Sequence, residues 1–443
     1  MDKGKLKMNI KSIFKMDKRI MLYVLSIFIG NLIFWIMAAK TDWKSTQTVF
    51  FRWDHWTYMD WFSEFMRFND GAIYSGEAPA NYPAFCFIIY RIFYSFVPMG
   101  DERLTSIYSI RNMQQTLIPM AFLEITLLFV LYHVLKSSIK TTQVLYKEVF
   151  VIAILMSAPY MFLYERANLI YFSLIGTYVY ILKYDSEKKE ERFLAYIALA
   201  IAAAIKVYPA IFGILTLQKK RYAETILLVV LGCVTFFLPF MLYGGGASLA
   251  VYLDTVFKSF ENFGELGFGY DFSIYNLERV IMSMIHGYQE HATNISKIVV
   301  LLLLIVALIT CRELWKELVI LTLFIIFIPS FSYEYILCFF ALPFIYMINQ
   351  TSKKIHYIYT LEFVLIGFPW IHIPIESVNY LNGEQLSHTF SLGHLIMYIG
   401  LISLLITILA DNIYCLSLTF RKKRGTNRED KNYEKSGMQV IDL

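Results

Sequence analysis

Apolar runs of about twenty residues recur along the chain, separated by short polar stretches, and that length is what an α-helix needs to cross a bilayer. The first run, Ile20 to Ala39, follows the basic stretch "MDKGKLKMNIKSIFKMDKR"; it is too long for the core of a cleaved signal and reads as an uncleaved span. Further spans are expected near 114–136, 148–164, 167–184, 222–242, 297–311, 317–331, 332–348, 355–371 and 391–411. The polar interruptions carry the Lys and Arg: "KSSIKTTQVLYK" (136–147), "KYDSEKKEER" (183–192), "QKKR" (218–221), "NQTSKK" (349–354) and "RKKRGTNREDKNYEK" near the end. Positive loops are cytoplasmic, so an even number of crossings must separate each pair.

Parity leaves room for one span between residues 40 and 136. The run "YPAFCFIIYRIFYSFVP" (82–98), which carries Arg91, is therefore placed on the outer surface. Between 192 and 218 the chain must enter and return within about 25 residues, too few for two full spans, so 193–217 reads as a tight hairpin with "AIKVYP" at its tip. Both termini are then inside, and 40–113, 243–296 and 373–390 outside. The expected fold is all-α: a polytopic membrane bundle of about 10–12 transmembrane segments with extracytoplasmic interfacial helices. Its divisions are a cytoplasmic N-terminus (1–19), a membrane domain (20–420) whose first extracytoplasmic loop is 40–113, and a disordered cytoplasmic tail (421–443).

Composition agrees: 57% of residues are hydrophobic and only 17% charged. A net charge of +5 spread over loops points to orientation in a membrane and to no nucleic acid. Cys86, Cys233, Cys311, Cys338 and Cys415 all sit in or beside apolar segments without a CxxC pair, so no disulfide framework and no metal site is expected. A P-loop, HExxH, GxGxxG and a DxD acid pair are all missing from the sequence, and nothing suggests ATP, a nucleotide-sugar or another cofactor.

Polar residues that need explaining gather in the outer segments. In "RWDHWTYMDWFSEFMR" (52–67) a helical wheel puts Tyr58, Trp61, Phe62 and Phe65 on one face and Thr57, Asp60, Glu64 and Arg67 on the other. Asp54 at its start suits an N-cap; Asp60 has no capping role and faces either water or a cavity. "YERANLIYF" sets Glu165, Arg166 and Asn168 at an outer helix junction, as an ordinary interfacial charge pair or as part of a site. Lys206, isolated in the apolar hairpin, either snorkels to the interface or meets a phosphate. "IPSFSYEYILCF" puts Tyr333, Glu334 and Tyr335 in a turn between two spans.

Taken in order, "YMDWF", "NYPAF", "ERANLIYF", "AIKVYPAIF" and "DFSIYNL" resemble glycosyltransferase family 87 of the GT-C superfamily, the branch with polyprenyl-phosphate-mannose-dependent mannosyltransferases; the resemblance spans roughly residues 20 to 350. It implies a catalytic base in the first extracytoplasmic loop, a role that falls on Asp60, and a contact to the lipid phosphate that falls on Lys206. Relatives often carry a His near the turn where this chain has Tyr333, Glu334 and Tyr335, which leaves the role of that turn open. On this reading Arg166 is a second cation for the leaving phosphate, Asn168 or Asn276 holds sugar hydroxyls, and Tyr333 and Glu334 lie on the substrate side. The implied reaction is inverting transfer of mannose or another hexose from a polyprenyl-phosphate donor to a lipid-linked or cell-surface glycan, at the extracytoplasmic face of the cell membrane. The alternative is a transporter or flippase of lipid-linked glycans. Against it, polar residues are sparse at mid-membrane, where a transport path needs them.

Overall fold

A computed structural model describes residues 17–50, 57–69, 73–75, 79–98, 106–141, 143–262, 270–285, 290–381 and 384–436. Asp54 lies outside these residues. Among them four helices are long and apolar enough to cross a membrane: Lys18–Lys40, Gln114–Ser138, Tyr222–Tyr243 and Leu392–Leu418. The helices Val144–Leu155 and Ala158–Arg166 make a fifth only as a pair bent by 61°. Pro159 lacks the N–H to continue the first helix, and the hydroxyl of Ser157 turns back to the carbonyl of Ile154 at 2.7 Å, which is why the break falls there.

The other apolar segments are shorter than a typical span. Ile170–Lys183, Lys189–Ile205, Leu314–Phe327 and Ile355–Gly367 run 13 to 17 residues, about 20–25 Å at ~1.5 Å per residue. Leu314–Phe327 is buried on all sides, from Leu318, Val319 and Ile320 to Ile325, Ile326 and Phe327, as a helix apolar around its whole circumference must be. At Gly176 an added Cβ would come within 2.6 Å of the carbonyl of Ala198, so Ile170–Lys183 and Lys189–Ile205 touch backbone to backbone. Because the chain turns back at Tyr184–Lys188, Asn168 before the first helix and Lys206 after the second lie at the same end of that close pair.

The basic loops meet at one end of the bundle. Arg19 donates to the carbonyls of Met347, Ile348 and Gln350 at 3.3, 3.0 and 2.9 Å. Asn349 joins the carbonyl of Ser138 and the N–H of Lys140 at 2.8 and 2.9 Å, and Arg221 donates to the carbonyl of Tyr184 at 2.9 Å. At the opposite end the helices deliver Arg166, Lys206 and Tyr333, joined by the helical stretch Met59–Asn69.

Two stretches of that second end were assigned from sequence length and parity. The segment 82–98 forms the helix Ala84–Tyr94, at 11 residues too short to span, with Ala84, Cys86, Phe87, Tyr90 and Tyr94 buried. The 193–217 hairpin is the helix Lys189–Ile205, a turn at Lys206, then a 3₁₀ turn Tyr208–Gly213 and a short helix Ile214–Gln218 coming back. A feature the all-helical reading did not contain is a two-stranded antiparallel hairpin, Pro374–Leu381 with Glu384–Ser391, in register from Pro374 opposite Ser391. The Asn-Gly dipeptide between those strands is a hairpin signal in the sequence. The last helix continues to Ser436, past the boundary at 421 where the sequence reading ends the membrane domain.

Candidate active site

Asp60 sits on the polar side of a continuous helical stretch built from Met59–Phe62, a 3₁₀ turn Ser63–Phe65 and Met66–Asn69. Trp61, Phe62 and Phe65 are buried on the opposite face, so the apolar stripe fixes the direction of Asp60. Tyr58, in a left-handed conformation at φ 63°, starts the helix, and its N–H donates to the carbonyl of Glu165 at 2.7 Å. That one backbone bond ties the "YMDWF" and "YERAN" segments together.

The side chains complete the joint. Oδ1 of Asp60 accepts from Arg166 through Nε at 3.0 Å and also through Nη2; Oδ2 accepts from Asn168 Nδ2 at 2.7 Å. Asn168 Nδ2 also donates to the Tyr82 hydroxyl at 3.0 Å, while its own carbonyl oxygen accepts from the N–H of Ile170 at 2.9 Å, which fixes the amide's orientation. The carboxylate is 14% exposed and the guanidinium 7%. A carboxylate offers about four acceptor positions; three are filled, and the remaining one on Oδ2 takes no donor among the described residues.

Asp60, Arg166, Lys206, Tyr82 and Tyr333 line one cavity of about 670 Å³. Lys206 caps the helix Lys189–Ile205, and its Nζ lies 4.2 Å from the centre of the Tyr82 ring and 5.9 Å from that of Tyr335. Among the described residues this ammonium makes no ion pair and no hydrogen bond. Glu64 and Arg67, one and two turns beyond Asp60, face the same cavity, with Arg67 Nε donating to Glu64 Oε2 at 2.7 Å. Burial pushes the Glu64 carboxyl above its ordinary range, while Arg67 and then Lys206 pull it back down.

A second cavity, about 720 Å³, lies on the far side of Thr57 and Tyr58 and is lined by Trp35, Trp43, Ile125, Glu124 and Glu165. Consecutive residues thus divide between the two chambers: Glu165 faces one, Arg166 the other.

The turn at Tyr333 is held from below by Asp271. Its Oδ1 accepts from the N–H of Ser273 at 2.9 Å and of Ser332 at 2.7 Å, and its Oδ2 from the Ser273 hydroxyl at 3.0 Å. Burial raises this carboxyl to about 7 against the pull of those donors. Asp271→Ala leaves two buried N–H groups unpaired and is expected to cost about 2–4 kcal/mol of stability; Asp271→Asn, whose oxygen can still accept both, costs much less. Thermal unfolding of the two variants in detergent checks this, and equal losses would contradict it.

Of the residues singled out from sequence, Asp60, Arg166, Lys206 and Tyr333 come together on one cavity, with Asn168 bound to Asp60. Two others do not reach it. Asn276 is buried, donating to the carbonyl of Asp271 at 2.7 Å and to the Tyr398 hydroxyl at 3.2 Å, and Glu334 is fully buried 3.7 Å from His394. Tyr82, Glu64 and Arg67 carried no assigned role, although the helical wheel already put Glu64 and Arg67 on the face of Asp60. Among the described residues no group of three or more His, Cys, Asp or Glu side chains is arranged to hold a metal ion.

A bundle of apolar helices with an acid, an amide and cations gathered around a cavity at one end fits a membrane glycosyltransferase, and the comparison with known families points the same way. The chain is similar to glycosyltransferase family 87, whose family model matches residues 112–329. That stretch contains Arg166, Asn168, Lys206 and Asn276; Asp60 precedes it, and Tyr333 and Glu334 follow it. No curated protein and no solved structure matches the chain.

Proposed function

We propose that the protein transfers a hexose, mannose being one candidate, from a polyprenyl-phosphate donor to a lipid-linked or cell-surface glycan at the extracytoplasmic face, with inversion and with Asp60 as general base, on a GT-C-like scaffold. The observation that carries this reading is the convergence of Asp60 and Lys206 on one cavity. The acceptor hydroxyl attacks the anomeric carbon, its proton passes to the open position on Oδ2 of Asp60, and the bond from anomeric carbon to phosphate oxygen breaks, its electron pair leaving with the polyprenyl phosphate. Lys206 faces the charge that grows on that phosphate. Arg166 is committed to Asp60 and is better described as the residue that positions the base than as a second phosphate ligand. Asn168 is likewise committed to Asp60, and Asn276 lies too far into the scaffold to hold sugar hydroxyls.

The second cavity suits the acceptor. Its described lining offers no Lys or Arg to hold a donor phosphate. Its lining residues Ile125 and Trp35 are apolar and 66% and 43% exposed, as an approach from the lipid requires.

Membranes containing the protein, supplied with radiolabelled polyprenyl-phosphate sugars in turn, should pass label from one of them to endogenous glycan. No transfer from any of them would overturn the donor assignment. Sidedness is tested separately. In a cysteine-free background, a cysteine replacing Ser75 should react with an impermeant reagent from outside, whereas cysteines replacing Lys140 or Lys188 should react only after permeabilisation. Labelling of position 140 from outside would reverse the topology and with it the face of the active site.

A further inference from the structure

The two asparagines that sequence reasoning offered to the sugar are both engaged elsewhere, so the hydroxyls of the transferred hexose need other partners. Glu64 is 4% exposed, a degree of burial at which an acidic side chain is normally fully paired. Here it is half paired. Oε2 accepts from Arg67 Nε at 2.7 Å, while Oε1 accepts from no described residue, and the side chain lines the cavity that also holds Asp60 and Lys206. Asp60, Glu64 and Arg67 are spaced i, i+4, i+7 and project from one face of one helical stretch.

We propose that Glu64, braced by Arg67, forms the subsite that reads the hydroxyls of the donor's hexose ring, with Oε1 accepting from one of them; the inference rests on the donor class proposed above. A carboxylate with a free oxygen is a strong acceptor for a neutral hydroxyl and a poor neighbour for a phosphate. Lys206 has the opposite preference. The two groups on one cavity therefore sort the donor end for end, phosphate toward Lys206 and sugar ring toward Glu64, which brings the anomeric carbon to the face served by Asp60. The raised carboxyl of Glu64 is consistent with a group shielded from water in the cavity. Arg67 makes Glu64 a fixed acceptor by holding its other oxygen, a positioning role.

The test uses the full-length protein in nanodiscs, the polyprenyl-phosphate hexose that supports transfer, and its analogues lacking one ring hydroxyl at a time. Glu64→Gln should lower transfer from the parent donor by roughly 10- to 100-fold, the range for losing one hydrogen bond to a charged group, and change transfer from one deoxy analogue by less than about 3-fold, because that analogue already lacks the contact. Glu64→Asp, which keeps the charge and withdraws the oxygen by one methylene, should show the same selective pattern and serves if the glutamine variant does not accumulate. An equal loss on every donor overturns the role of Glu64 while leaving the donor class intact, as does a loss accompanied by a displaced pH profile, which would make it a proton acceptor. A wild-type protein that transfers from none of the donors overturns both proposals.

Discussion

Asp60→Asn lowers sugar transfer at least about 100-fold per folded molecule, because the amide cannot take the acceptor's proton at neutral pH. The substitution is less silent structurally than a surface change. Asn at this position can still accept from Arg166, but its amide nitrogen then faces Asn168 Nδ2, and Asn168 cannot simply turn over while its oxygen accepts from Ile170. Arg166, 7% exposed, also loses its countercharge, with Glu165 Oε2 4.0 Å away as partial relief. A loss of about 1–3 kcal/mol in stability accompanies the change, so activity has to be normalised to folded protein. Asp54→Asn provides the contrast: the helix begins at Met59 with Tyr58 as its N-cap, so the capping role that the sequence suggested for Asp54 does not apply to it, and that variant is expected to keep most of its activity. The reverse pattern, Asp54→Asn inactive and Asp60→Asn active, would move the base to Asp54.

Lys206→Met removes roughly 2–4 kcal/mol of transition-state stabilisation, about 10²- to 10³-fold in turnover, the usual scale for one preorganised electrostatic contact. Its effect on folding should be small. The ammonium makes no ion pair among the described residues; methionine keeps the length and apolar stem, and what disappears is the contact with the Tyr82 ring at 4.2 Å. Against that loss, of about 1 kcal/mol or so, stands the relief of no longer desolvating a cation. A thermal midpoint near wild type with turnover down by two orders of magnitude is the expected result. Turnover unchanged in a well-folded Lys206→Met protein would mean that the lysine only snorkels.

The contrast between these two residues bears on what the sequence could reveal. The wheel of residues 57–67 oriented Asp60 correctly because apolar periodicity is a local property, and Trp61, Phe62 and Phe65 enforce it in the fold. Lys206 was conspicuous for a similar reason: a lone cation in an apolar hairpin has few bland explanations. Arg166 and Asn168 were flagged but given other tasks, because their pairing with Asp60 spans more than a hundred residues of sequence and no local pattern encodes it. Glu334 and Asn276 looked equally polar in the sequence, yet one lies beside His394 and the other under Tyr398, contacts that only the packing of the last long helix creates. The positions of the apolar segments were legible from hydropathy, but the helix lengths were not: among the described residues four helices, or five with the bent pair, are long enough to cross a membrane, and the other apolar segments are shorter. The 3₁₀ turn Glu334–Phe340 interrupts the run 332–348 that reads as one continuous span, since hydropathy does not distinguish a bent backbone from a straight one.

The central claim, that the site cleaves the sugar–phosphate bond rather than moving an intact lipid-linked sugar, is tested most directly with purified protein in sealed proteoliposomes. They are supplied with a polyprenyl-phosphate sugar labelled in the sugar and an acceptor glycan. The account predicts one polyprenyl phosphate released per sugar transferred, inverted configuration at the anomeric carbon of the product, and loss of both in Asp60→Asn. Labelled donor that crosses the bilayer with its sugar–phosphate bond intact, equally well with Asp60→Asn, would contradict it and make the protein a transporter.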